Sequence, residues 1–197
     1  MFIQSLIISS AIIGSPQAQT PPRPTPDTPP PAADTVRPAA QAHGEHGAAG
    51  ADAAFVKKAA DGGMAEVAMA KLAQEKAESA DVKAFAAKLE KDHTAANDEL
   101  KQIASGKQIT LPTAPSKMHQ ALHDKLAKLS GAAFDKAYVA AMLEDHQKDV
   151  KEFAREASTG TDTDVKAFAG KTLPTLKAHL QQVQELSKTV AAKKPMS

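Results

Sequence analysis

The sequence predicts an all-α fold, an antiparallel four-helix bundle built from two helical hairpins and a long crossover carrying a short extra helix. Three observations point there. Apolar residues recur at intervals of three and four through four long segments. Ala, Leu, Lys, Glu and Gln dominate after residue 50, a composition that suits helices. The run Asp81-Val-Lys-Ala-Phe-Ala86 returns unchanged as Asp164-Val-Lys-Ala-Phe-Ala169, and each copy opens the second helix of a hairpin.

Phe2 to Ile13 is apolar and about the length of a signal-peptide core, with a plausible cut after Ala18. Residues 1–18 are therefore expected to be an export signal, the alternative being an unrelated apolar tail. Residues 19–51 read as a disordered linker, since nine of the thirteen prolines lie before residue 40 and little there can be buried. Such a spacer suits contact with an envelope surface or a protein partner. His43 and His46 within it could catch a metal ion loosely, but nothing rigid positions them.

The bundle is expected over residues 52–190. Its first helix runs from about Ala53 to Glu78, facing inward with Phe55, Ala59, Gly62, Glu66, Met69, Ala70 and Ala73. Gly62 and Gly63 weaken that helix, so they serve a close backbone approach or a break. A very short bend leads to the second helix at Asp81, whose stripe is Val82, Phe85, Leu89, Ala96, Leu100 and Ile103. Gly106, Pro112 and Pro115 mark the crossover, and a short helix from about Ser116 to Leu129 carries His119 and His123 at i, i+4, a spacing that can chelate.

The third long helix spans about Ala132 to Ala157, with Phe134, Tyr138, Ala141, Met142, Asp145, Asp149 and Phe153 facing in. The fourth continues from Asp164 to about Val190, with Val165, Phe168, Thr172, Leu176, Leu180, Val183 and Leu186 as its stripe. Pro174 removes one backbone bond and predicts a kink just before His179. Residues 191–197 read as a frayed, disordered tail.

Net charge is +1, from 24 basic and 23 acidic residues evenly mixed, so no footprint for nucleic acid exists. Six Phe, one Tyr and no Trp exclude a stacking surface, and the absence of Cys excludes disulfides, thiolate sites and thiol nucleophiles. No phosphate loop, His-Glu-x-x-His or Gly-x-Ser-x-Gly occurs, which leaves hydrolase and nucleotide readings unsupported.

The candidate site is a polar layer. His93 falls inside an apolar stripe, and a polar ring there needs a partner. Counting from the bends at about 1.5 Å per residue sets Glu66, His93 and Asp145 or His146 at nearly one level, with His179 about one turn away. Imidazole and carboxylate are the donors that iron, zinc, copper and manganese take. Bundles build such sites from facing helices, one or two side chains each. Purely structural histidines, with Glu66 and His93 as a buried pair that fixes register, are the competing reading.

Four segments carry a resemblance: FVKKAADGGMAEVAMAKLA, VKAFAAKLEKDHTAANDEL, SGAAFDKAYVAAMLEDH and KTLPTLKAHL. In order and spacing they resemble exported bacterial proteins grouped as domain of unknown function 4142, often labelled outer membrane proteins. The resemblance covers about residues 53–188. It implies a ferritin-like four-helix bundle, a periplasmic or otherwise exported location compatible with outer-membrane association, and Glu66, His93, His146 and His179 at the motif positions. It implies no established activity.

Di-iron members of the ferritin-like superfamily use one carboxylate from each of two helices and a Glu-x-x-His pair from each of the other two. Here Glu90 and His93 satisfy the pair once, while Leu176 stands where a second Glu should precede His179. The expected ligand set is Glu66, Glu90, His93, Asp145, His146 and His179, richer in histidine than a ferroxidase. Metal handling or protection from envelope and oxidative stress is the leading function, a non-catalytic envelope module the alternative, and a di-metal oxidase the least favoured. The mature chain is expected to lack a transmembrane helix, and a homo-oligomer is compatible with it.

Overall fold

The computed structural model describes residues 42–192, and the expected signal, most of the expected linker and the last five residues of the tail lie outside them. Helices α1 (Ala42–Lys76) and α2 (Ala80–Gly106) form the first hairpin; α4 (Gly131–Thr159) and α5 (Thr163–Ala192) form the second. The crossover carries α3 (Lys117–Ala127), which packs on α1 and, more lightly, on α4. The two hairpins meet through α2 against α5 and α1 against α4, a ferritin-like bundle. Among the described residues no helix is long and apolar enough to cross a membrane.

One boundary differs from expectation. Residues 42–51, read as linker, are the first turns of α1. Nucleating a helix is costly and extending one is cheap, and the alanines before Asp52 extend a helix already anchored by Phe55 and Val56, both buried. Gly62 and Gly63 do not break it. A Cβ on Gly63 would stand 2.1 Å from Asn97 Oδ1, so this glycine admits a side chain of α2, not a backbone.

The bends are fixed by acids. Asp135 accepts the backbone N–H groups of Glu78 (3.1 Å) and Ser79 (2.9 Å) at the first bend. Asp52 accepts those of Thr161 (3.1 Å) and Asp162 (2.7 Å) at the second, plus the Thr161 hydroxyl (2.6 Å). These N–H groups have no intrahelical partner, so a carboxylate replaces water for them. Helix α5 then starts on Asp162, which accepts from Asp164 and Val165, and it runs unbroken through Pro174.

The apolar core is in two parts. One gathers Met69, Phe85, Leu89, Phe134, Tyr138 and Met142; the other gathers Phe55, Val56, Leu100, Phe153, Phe168 and Leu176. Glu66, His93, His146 and His179 are buried too, and belong to neither.

Candidate metal centre

Each helix of the bundle contributes one member of this polar group: Glu66 from α1, His93 from α2, His146 from α4 and His179 from α5. Their exposures are 1%, 7%, 0% and 0%, so every polar atom must find a partner in the protein. The three imidazoles face one another with centroids 5.7 Å (His93 to His146), 5.5 Å (His93 to His179) and 5.4 Å (His146 to His179) apart. One nitrogen of each ring lies within 4.8 Å of the other two. The helical count left His179 about one turn out of level, yet its ring joins the layer.

The other nitrogen of each ring is held from outside. His93 Nδ1 is 2.9 Å from Glu66 Oε2. His146 Nδ1 donates to the Met142 carbonyl at 3.0 Å, since that oxygen can only accept. His179 Nε2 is 2.9 Å from Asp92 Oδ2, and Lys88 Nζ approaches both, 2.6 Å from Asp92 and 3.1 Å from His179. Inward, His146 Nε2 and His179 Nδ1 stand 3.4 Å apart, and His93 Nε2 has no hydrogen-bond partner at all. With Asp92 ionised and a Glu66 oxygen accepting from His93, each outer nitrogen carries the hydrogen and three lone pairs converge.

Electrostatics agree with neutral rings. Burial lowers all three histidines, taking His179 down to about 4 although Asp92 opposes the shift. Neutral imidazole is the form that binds metals. Burial also pushes Glu66 up to about 8, against the pull of His146 and with a further push from Asp145. Tyr138 is raised by burial and then by Glu66, and its hydroxyl is unpartnered.

The expected residues divide. Glu66, His93, His146 and His179 come together. Asp145 lies instead with Glu66 and Asp149, each offering one oxygen within 4.8 Å of the others. Glu90 is a correction: half-exposed, it accepts from Gln74 Nε2 at 2.7 Å and lies 3.7 Å from Lys71, away from the rings. One turn before His93 it falls on the flank facing the polar edge of α1, where those two partners wait. His119 and His123 do not pair either; His119 is 3.1 Å from Asp61 and His123 is 3.6 Å from Asp124.

Asp92 and the Met142 carbonyl were not foreseen. Asp92 sits off the apolar stripe, and its only sequence signal is Lys88 four residues earlier beside a core histidine. A carbonyl partner has no sequence signal.

Comparison with curated proteins finds no match. Among solved structures, a DUF305 protein of Streptomyces coelicolor, described as secreted, superposes with a TM-score of 0.61. It shares 18% identity, with 75% of this chain and 98% of that one covered, a likeness of fold. The family model "Domain of unknown function (DUF4142)" matches residues 37–186, and the chain belongs to that family.

Proposed function

We propose that this protein is an exported metal-binding bundle whose His93, His146 and His179 hold one transition-metal ion, for metal handling or protection of the envelope from oxidative stress. The observation that carries the reading is the outward hydrogen bonding of all three rings. Metal-ligating histidines characteristically give their second N–H to a carboxylate or a backbone carbonyl, which fixes tautomer and orientation. Glu66, Met142 and Asp92 supply one such acceptor each.

Distance supports it as well. Bonds of about 2.0–2.1 Å in tetrahedral geometry place ligand nitrogens about 3.3–3.4 Å apart, and His146 Nε2 and His179 Nδ1 are 3.4 Å apart. Two lone pairs at that separation repel unless a proton or a cation lies between them. Imidazole donors favour zinc, copper, iron or nickel over magnesium or calcium. When bound, the ion would act as a Lewis acid or electron carrier; the residues orient it and exclude water.

Elemental analysis of protein purified from an exported source tests this, together with Zn(II) and Cu(I) titration of chelator-treated protein. One equivalent per chain is expected, lost in His93→Ala and His179→Ala. Metal-free native protein, with thermal stability indifferent to added metal in wild type and variants alike, would leave the histidines a hydrogen-bonded structural layer.

A further inference from the structure

We propose that Glu66, Asp145 and Asp149 form a second cation site, of oxygen donors, beside the three imidazoles and distinct from them. The three carboxyl groups, from α1 and two successive turns of α4, converge within 4.8 Å. A cavity of about 250 Å³ is lined by all three and by His93, and it extends outward past Asp61 to Met118, which is 72% exposed.

Two independent observations point to a ligand there. Glu66 Oε1 is buried without a hydrogen-bond partner, His146 Nδ1 standing 3.5 Å away and itself bonded to the Met142 carbonyl, while its sister oxygen is taken by His93. Among the described residues, neither Asp145 nor Asp149 has an ion-pair or hydrogen-bond partner on a side chain. The nearby lysines are engaged elsewhere, Lys148 with Glu144 at 2.7 Å and Lys58 with Glu152. Three crowded carboxyl groups, one buried and two partly buried, need protons or a cation to offset their mutual repulsion.

Donor chemistry selects the class. An all-oxygen set suits a small hard divalent ion such as Mn(II) or Mg(II), with bonds of about 2.1 Å and opposite oxygens about 4.2 Å apart. The nitrogen set next to it suits zinc or copper. The two sites therefore sort ions by donor type, and Glu66 stands between them, its oxygens 2.9 Å from His93 and 3.5 Å from His146 and one of them within 4.8 Å of both acids. Water completes the coordination of such ions, and the cavity supplies room for it.

The test uses the full chain, freed of metal by chelation and titrated with Mn(II), with free Mn(II) read by electron paramagnetic resonance. The titration is repeated after one equivalent of Zn(II). One Mn(II) per chain is expected in both cases. The paired Asp145→Asn and Asp149→Asn variant should weaken Mn(II) by about 100-fold or more and keep its zinc. His146→Ala with His179→Ala should lose zinc and keep Mn(II). Should the paired acid variant lose its helical circular dichroism, Asp149→Asn alone serves, with the same direction expected. Absence of Mn(II) from folded wild-type protein, or affinity unmoved by the acid substitutions, overturns the proposal in favour of shared protons. Loss of zinc binding with Mn(II) retained counts only against the histidine reading.

Discussion

Asp52 and Asp135 hold matching places in the two hairpins, and each fastens the other hairpin's bend. Asp52, on α1, accepts from Thr161 and Asp162; Asp135, on α4, accepts from Glu78 and Ser79. The spacing that carries Asp81 to Asp164 also carries Asp52 to Asp135, with Ala54, Phe55 and Val56 answering Ala137, Tyr138 and Val139. The bundle is thus an approximate two-fold, clasped once at each end.

Removing either clasp strands two backbone N–H groups where water reaches them poorly. Asp52→Ala and Asp135→Ala should each lower the unfolding free energy by about 1–3 kcal/mol. The sites are at opposite ends, so the double variant should equal the two effects added within about 0.5 kcal/mol. Urea denaturation measures all three. Single variants indistinguishable from wild type would show that the bends are held by packing alone.

The acceptors behind the rings predict a different effect. Asp92 orients His179 without belonging to the converging lone pairs. Asp92→Ala should keep the one-metal stoichiometry proposed above and weaken affinity by about 10–100-fold. Asp98→Ala, an exposed carboxylate paired with Lys101, should change nothing. Competition against a chromophoric chelator separates the outcomes, and equal affinities for the two variants would remove Asp92 from its positioning role.

Legibility followed the physics of each feature. Four amphipathic stripes and one exact repeat made the bundle readable, because burying a helix face imposes a period on the sequence. The layer was readable for the same reason, since Glu66, His93 and His179 interrupt apolar stripes. Glu90 misled because a Glu-x-x-His spacing is satisfied by any helix, whichever way the Glu points. The repeat itself gives a sharper comparison: the counterparts of Glu90 and His93 are Leu173 and Leu176, while those of His146 and His179 are Gly63 and Ala96. The histidine triad is therefore where the two-fold breaks, and no symmetry argument from sequence could have found Asp92 or the Met142 carbonyl. The start of α1 was misplaced because glycines and histidines there carry weak propensity, whereas the anchored helix below extends through them.

Phe85 tests whether the core supports the site or merely surrounds it. Its fully buried ring lies 6.4 Å, centroid to centroid, from both His146 and His179. Phe85→Ala should cost about 3–5 kcal/mol and also lower metal affinity, because two rings lose a wall. Phe55→Ala, in the other half of the core against Phe153 at 4.9 Å, should cost a similar amount of stability and leave affinity alone. Calorimetric unfolding paired with metal titration distinguishes them. Equal affinity losses would mean that binding tracks overall stability.

The second bend carries a pH dependence whose sign can be worked out. Burial, then the hydrogen bond and charge of Asp52, push the Glu156 carboxyl from 4.5 up to about 7. Against the burial that would raise it, hydrogen bonds from Thr161, Asp162 and Glu156 hold Asp52 below its ordinary value. The pair thus shares one proton, carried by Glu156. In the unfolded chain Glu156 ionises near 4.5, so between about 4.5 and 7 folding retains a proton that unfolding releases. Its contribution to stability is full below about 4.5, falls as pH rises through about 7 and is flat beyond. Glu156→Gln keeps an N–H for Asp52 at every pH and removes this slope. Between pH 5 and pH 8 the wild-type urea midpoint should therefore fall more than that of the variant, which should be the more stable protein at pH 8. Parallel profiles for the two proteins would mean that Glu156 ionises normally and that Asp52 is held by the backbone N–H groups alone.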